Sequence, residues 1–248
     1  MPLTSYVDVH AHIGDSSFDK DRDEVLKRAK DIIILEAGVD HKSNLKALKL
    51  AKKYPNVKAC LGYYPEYLVD ATDEDVDKEI RFIKDNASNI VAISEIGLDY
   101  KFPEKEKQKA YFRKFLGLAE ELRLPVVLHS RRAAGAVIRE SKEFKIKVDL
   151  HAFVGNEEEL KSAIDAGFYL SLGPNIVFNE YKQHLASVIP FEQLLTETDS
   201  PVLGPIEGER NEPNNVKMAV KKVAEICEVH LEDVRKATYD NARKVFGI

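Results

Sequence analysis

The chain has 248 residues, 44% hydrophobic and 32% charged, with 12 glycines and 10 prolines, a composition that excludes a disordered tail or a collagen-like repeat. A formal net charge of −5 excludes a protein that coats nucleic acid by neutralising many phosphates, though not an enzyme that grips one or two. Two cysteines, Cys60 and Cys227, cannot build a disulfide framework and have no CxxC spacing, which points to a reducing compartment.

The opening MPLTSYVDVH lacks the charged and apolar regions of a secretory leader. No apolar run reaches the roughly 18 residues of a membrane span, so the expected location is cytoplasmic. Short apolar, β-branched runs then recur along the chain: Tyr6 to Ala11, Ile32 to Leu35, Val57 to Leu61, Ile90 to Ile96, Val126 to His129, Val148 to His151, Phe168 to Leu172 and Leu194 to Thr198. They read as eight strands. Between them, residues 21–30, 43–54, 73–86, 104–123, 133–144, 156–167 and 179–189 carry apolar side chains three or four apart, the pattern of amphipathic helices. Ser43, Asp73 and Asn156 are expected to cap three of these. From Asn214 to Phe246 the pattern predicts two helices divided near Glu228 to Leu231. Eight strand-then-helix units predict an α/β fold, one (β/α)8 TIM barrel domain over residues 1–248 with an extra C-terminal helix. A doubly wound sheet is the alternative, but it would not bring the ends of strands one, four, five, six and eight to a common point.

Those strand ends carry the chemistry. His10 and His12, two apart in VDVHAH, are expected on one face with Asp8 below them. Glu95 ends the fourth strand, where a carboxylate in an apolar run must be paired, hydrogen-bonded or metal-bound. His129 and His151 end the fifth and sixth strands. Asp199 closes the eighth just before Ser200 and Pro201, with Glu197 expected to orient a histidine or a ligand carboxylate. Barrels keep their active sites at the C-terminal strand ends, so four imidazoles and two carboxylates there read as a metal-binding constellation. A nitrogen-rich set favours zinc, manganese, iron or nickel. Lys101, Arg131, Arg132 and Arg210 follow strand ends and make the mouth locally basic. Arginine suits bidentate phosphate contacts, but solvated loop charges explain the same residues. His41, His184 and His230 are expected at the surface or in packing.

The motifs HAH, SEIGLDY, PVVLHSR, HAF, TETDSP and RNEP, spread over almost the whole chain, resemble those of the TatD family of metal-dependent deoxyribonucleases in the amidohydrolase superfamily. The resemblance implies two divalent ions (zinc, manganese or magnesium), with His10, His12 and Asp199 on one, His129 and His151 on the other, and Glu95 bridging. It also implies a hydrolase that cleaves phosphodiesters at DNA ends or damaged DNA through an activated water, with Asp199 as general base, and no membrane or obligate protein partner. The family's GxHPH segment is here GYYPEY, with Tyr64 and Glu66 at the histidine positions. Tyr64 can still donate a hydrogen bond there, whereas Glu66 would repel a phosphate unless protonated, paired or metal-bound. Substrate contacts are accordingly expected at Tyr64, Glu66, Arg131 and Arg210. Two other readings stay open: a hydrolase of the same superfamily acting on a lactone, amide or phosphotriester, and a non-catalytic metal-containing scaffold.

Overall fold

The computed structural model describes residues 6–248, so the start of the segment expected to lack a leader lies outside the described residues. The strands are β1 (Tyr6–Ala11), β2 (Ile32–Ala37), β3 (Val57–Leu61), β4 (Ile90–Gly97), β5 (Val126–His129), β6 (Val148–Leu150), β7 (Tyr169–Leu172) and β8 (Leu194–Thr196). The helices are α1 (Arg22–Arg28), α2 (His41–Lys53), α3 (Pro65–Leu68), α4 (Asp73–Asp85), α5 (Lys105–Leu122), α6 (Ala134–Ser141), α7 (Glu157–Asp165), α8 (Glu180–Val188), α9 (Val216–Cys227) and α10 (Leu231–Phe246). The strands pair in parallel and in chain order from β1 to β8, giving the expected (β/α)8 barrel with α10 added. Continuous apolar runs such as Ile32 to Leu35 suit strands covered on both faces.

Strand β2 runs two residues further than the pattern implies. Glu36 is buried because its carboxylate accepts hydrogen bonds from the amides of Ile13 and Gly14. Strand β8 stops sooner than expected. The Glu197 amide still bonds Leu172 O, but Asp199 adopts φ 53° and its amide crosses to His10 O at 2.8 Å. Two caps sit earlier than expected. Asp40 caps α2 in a reciprocal box with Ser43, and Thr72 caps α4 in one with Asp75; in each box the cap lies three residues before its partner. Asn156 caps α7 as expected.

Helix α10 packs Ala242, Val245 and Phe246 against strand-start residues that include Val7, Val127 and Leu195. It therefore seals the barrel end opposite the strand C-termini. The β8–β1 seam is held largely by side chains. Thr198 donates through N (2.8 Å) and Oγ1 (2.6 Å) to the buried Asp8 carboxylate, and Thr196 Oγ1 donates to Val7 O at 3.2 Å. The His12 amide donates to Ser200 O at 2.8 Å. Asp8, expected below the histidines, also accepts from the His10 amide at 3.4 Å. Among the described residues no helix is long and apolar enough to cross a membrane.

Candidate metal centre

Two strands break register at the site. β1 slips against β2 between Asp8 and Ala11, and β4 slips against β5 between Ile93 and Ile96. Such irregularities re-aim side chains, and these flank His10 and Glu95, so strict alternation does not by itself place the side chains. Glycine clears the backbone around them. A Cβ at Gly62 would lie 2.4 Å from the Glu95 nitrogen, and one at Gly97, whose φ is 148°, would lie 2.0 Å from His129 O.

The structure brings His10, His12, Glu95, His129, His151 and Asp199 together. Glu95 Oε2 lies 3.5 Å from His10 Nε2 and 3.6 Å from His12 Nε2. Its other oxygen, Oε1, lies 2.9 Å from His129 Nδ1 and 3.2 Å from His151 Nε2. Asp199 Oδ1 is 3.4 Å from His12 Nε2 and 3.7 Å from His10 Nε2. The His10 ring stacks on His151 at 4.0 Å and meets His12 edge-on. Three overlapping triads could each hold an ion: His10, His12 and Glu95; His10, His151 and Asp199; and Glu95, His129 and His151.

The nitrogens turned away from this cluster show how the rings are oriented. His12 Nδ1 lies 3.0 Å from Ala37 O, and His129 Nε2 lies 3.1 Å from Asp99 Oδ2. His10 Nδ1 is 3.5 Å from Ser94 Oγ. His151 Nδ1 is buried without a hydrogen bond, with Glu197 Oε2 at 3.5 Å. A neutral imidazole that donates through one nitrogen offers a lone pair at the other. With their protons on the outward nitrogens, His12 and His129 would turn lone pairs toward the carboxylates, an arrangement only a cation between them permits, and the His10 and His12 Nε2 atoms approach to 3.2 Å. Two such nitrogens need a shared proton or a cation, so the donor set fits divalent metal.

The electrostatics match. Burial opposes ionisation of Glu95, but His151, His10 and His129 outweigh it and hold the carboxyl well below its usual range. Asp199 is also lowered against its burial, chiefly by His12. Burial would lower His12, yet Asp199 and Glu95 push it up to about 9. His151 is raised against burial by Glu95 and Glu197, whereas burial and the neighbouring His151 keep His10 low.

Other expected residues lie as follows. Glu197 accepts from the Ala152 amide at 2.8 Å and from Ser171 Oγ at 2.7 Å, beside His151. Tyr64 donates its hydroxyl to Asp99 at 3.1 Å. Arg131 gives Nε and Nη2 to the same carboxylate and keeps 41% of its side chain exposed. Glu66 is exposed in the first turn of α3, and Lys101 and Arg132 are exposed. Arg210 bonds both Asp21 oxygens, at 2.8 and 2.6 Å, and Ser17 O, and it stacks over Phe18. These contacts engage Arg210 with the loop after β1 rather than with the six-residue cluster. His41 and His184 pair with Glu79 and Glu157, and His230 is exposed.

Sequence reasoning gave no role to Asp99 or Glu36. Asp99 lies within SEIGLDY but reads as a turn residue, while Glu36 ends an apolar run just as Glu95 does, a signal that could have marked it. Exposed apolar side chains beyond the strand ends, among them Tyr67 in α3 and Phe178, Val202 and Ile206 in loops, carried no sequence signal.

The family model described as TatD related DNase matches residues 7–247. An uncharacterised metal-dependent hydrolase of Methanocaldococcus jannaschii is 41% identical over 99% of this chain and 98% of its own. Human deoxyribonuclease TATDN3 is 34% identical over 97% of this chain and 94% of its own. Among solved structures, the Escherichia coli TatD homologue YjjV shares the fold at a TM-score of 0.89 and 23% identity, covering 98% of each chain. The architecture, the converging histidines and carboxylates, and these matches agree: the chain belongs to the TatD family of metal-dependent hydrolases.

Proposed function

We propose that the chain is a two-metal phosphodiesterase that acts on DNA, at ends or damaged positions. The observation that carries this reading is the division of Glu95, one oxygen toward His10 and His12 and the other toward His129 and His151. His10, His12 and Asp199 would hold one ion, His129 and His151 the other, and Glu95 both; zinc, manganese or magnesium suits the site. When bound, such ions supply Lewis acidity toward a phosphate oxygen and toward the attacking water. Asp199, kept ionised by the surrounding histidines, takes the proton of that water on a carboxylate oxygen. Arg131 has Nη1 left over, and with exposed Lys101 and Arg132 it gives an approaching phosphate a positive sector on a net acidic molecule. Exposed Tyr67 and Phe178 offer rings to unstacked bases. The name of the human relative, deoxyribonuclease, supports DNA as the substrate.

The Tyr64 hydroxyl, turned onto Asp99, and the exposed Glu66 favour a second reading, a hydrolase of a lactone, amide or phosphotriester. A substrate panel on zinc- or manganese-loaded protein separates the two. Cleavage of a labelled single-stranded oligonucleotide, abolished in Asp199→Asn, supports the nuclease. Turnover of a lactone or phosphotriester with none of the oligonucleotide replaces it with the second reading.

A further inference from the structure

Several groups at the mouth converge on the Asp99 carboxylate. Its side chain has no exposed surface. Oδ2 accepts from His129 Nε2 at 3.1 Å, Arg131 Nε at 2.8 Å, Arg131 Nη2 and Tyr64 Oη, while Oδ1 accepts from the Lys101 amide at 3.0 Å. Its backbone is fixed as well. Buried Gln108 accepts from the Asp99 amide at 3.0 Å and donates to Asp99 O at 3.1 Å.

His129 is placed between two carboxylates. Glu95 Oε1 stands 2.9 Å from Nδ1 and Asp99 stands on Nε2, so each carboxylate can accept a proton from its nitrogen, and once the ring is neutral the two compete for the one proton left. A metal can use Nδ1 only if that proton stays on Nε2. We propose that Asp99 is a positioning residue which holds the Nε2 proton of His129 against the pull of Glu95, and that Tyr64 and Arg131 brace Asp99 rather than serving chiefly as substrate contacts. This rests on the reading of His129 as a metal ligand.

Zinc titration of the metal-free protein, followed by calorimetry, tests the proposal without any substrate. Loss of an outer carboxylate partner lowers metal affinity about 10- to 100-fold, so Asp99→Leu should show a loss of that size. Asp99→Asn, which keeps an acceptor oxygen, should recover most of it. In a His129→Ala background Asp99→Leu should cost nothing further, since its effect runs through that ring. Tyr64→Phe should weaken zinc binding severalfold, a change that a pure substrate contact would not produce. A second measurement needs no variant: the Nε2 proton of His129 in zinc-loaded wild type should appear by nitrogen-edited NMR as a slowly exchanging resonance. A rapidly exchanging proton, or unchanged zinc affinity in Asp99→Leu, overturns the proposal while leaving the metal site standing. Failure of wild-type protein to bind zinc overturns the metal reading and the proposal together.

Discussion

Glu95 spans both halves of the cluster, whereas each histidine on its Oε1 side serves one. Glu95→Ala should therefore abolish hydrolysis and deplete both ions in elemental analysis, while His151→Ala leaves one ion largely in place. Full occupancy in the Glu95 variant would refute the shared carboxylate. A second residue-scale consequence concerns Lys182, a buried lysine that donates to Phe153 O behind the segment carrying His151. Burial outweighs the attraction of Glu197 and Asp199 and lowers this ammonium from 10.5 to about 8. Between those values the unfolded chain binds a proton that the folded chain does not, so stability rises with pH. The gain is lost as pH falls through 8, and at its full extent it amounts to roughly 3 kcal/mol. Thermal melts of wild type should climb between pH 8 and pH 10 relative to Lys182→Met, which removes the titrating group. Parallel curves would show that Lys182 keeps its ordinary affinity for protons.

The elements explain why some features were legible in the sequence and others were not. Strands β1, β3 and β5 begin and end where the apolar runs do, because a covered strand must be apolar along its length and stops where polar turn residues begin. The six site residues stood out because imidazoles and carboxylates at the ends of such runs need partners. The register slips beside His10 and Glu95 could not be read, since they depend on how neighbouring strands fit. Asp99 was missed for the same reason: its side-chain partners His129, Arg131 and Tyr64 are 30 to 35 residues away in sequence. Arg210 sits in a recognisable segment, yet Asp21, far off in sequence, determines where its guanidinium points. The β4–β5 contact gives an element-scale test. Gly97→Ala would drive a methyl group into His129 O at a backbone angle that alanine avoids. It should cost about 3 kcal/mol or more in denaturant melts and weaken zinc binding with it; a variant as stable as wild type would show that the two strands can separate freely.

At the scale of the whole molecule, the barrel places its two ends under different demands. Helix α10 plugs one end with apolar side chains, and the other gathers buried acids and imidazoles into groups that could hold a cation. Binding that favours the folded state stabilises it by mass action, about 4 kcal/mol at a thousandfold excess over the dissociation constant. Zinc should accordingly raise the melting temperature, and Glu95→Ala should remove most of that rise.

The seam between β8 and β1 has a further consequence. The amides of Asp199 and His12 bond His10 O and Ser200 O across it, so the joint that closes the barrel runs through the residues proposed to grip the ions. The cation would act as a clasp, riveting the first strand of the barrel to the last, and the barrel could not unzip there without expelling it. Hydrogen–deuterium exchange at Asp199 and His12 should slow steeply when zinc is added, toward a thousandfold at saturation if opening requires release. Amides in α4, on the outer wall, should scarcely change. Equal slowing in both places would mean that the metal stabilises the fold as a whole, and that the ring is not fastened at this joint.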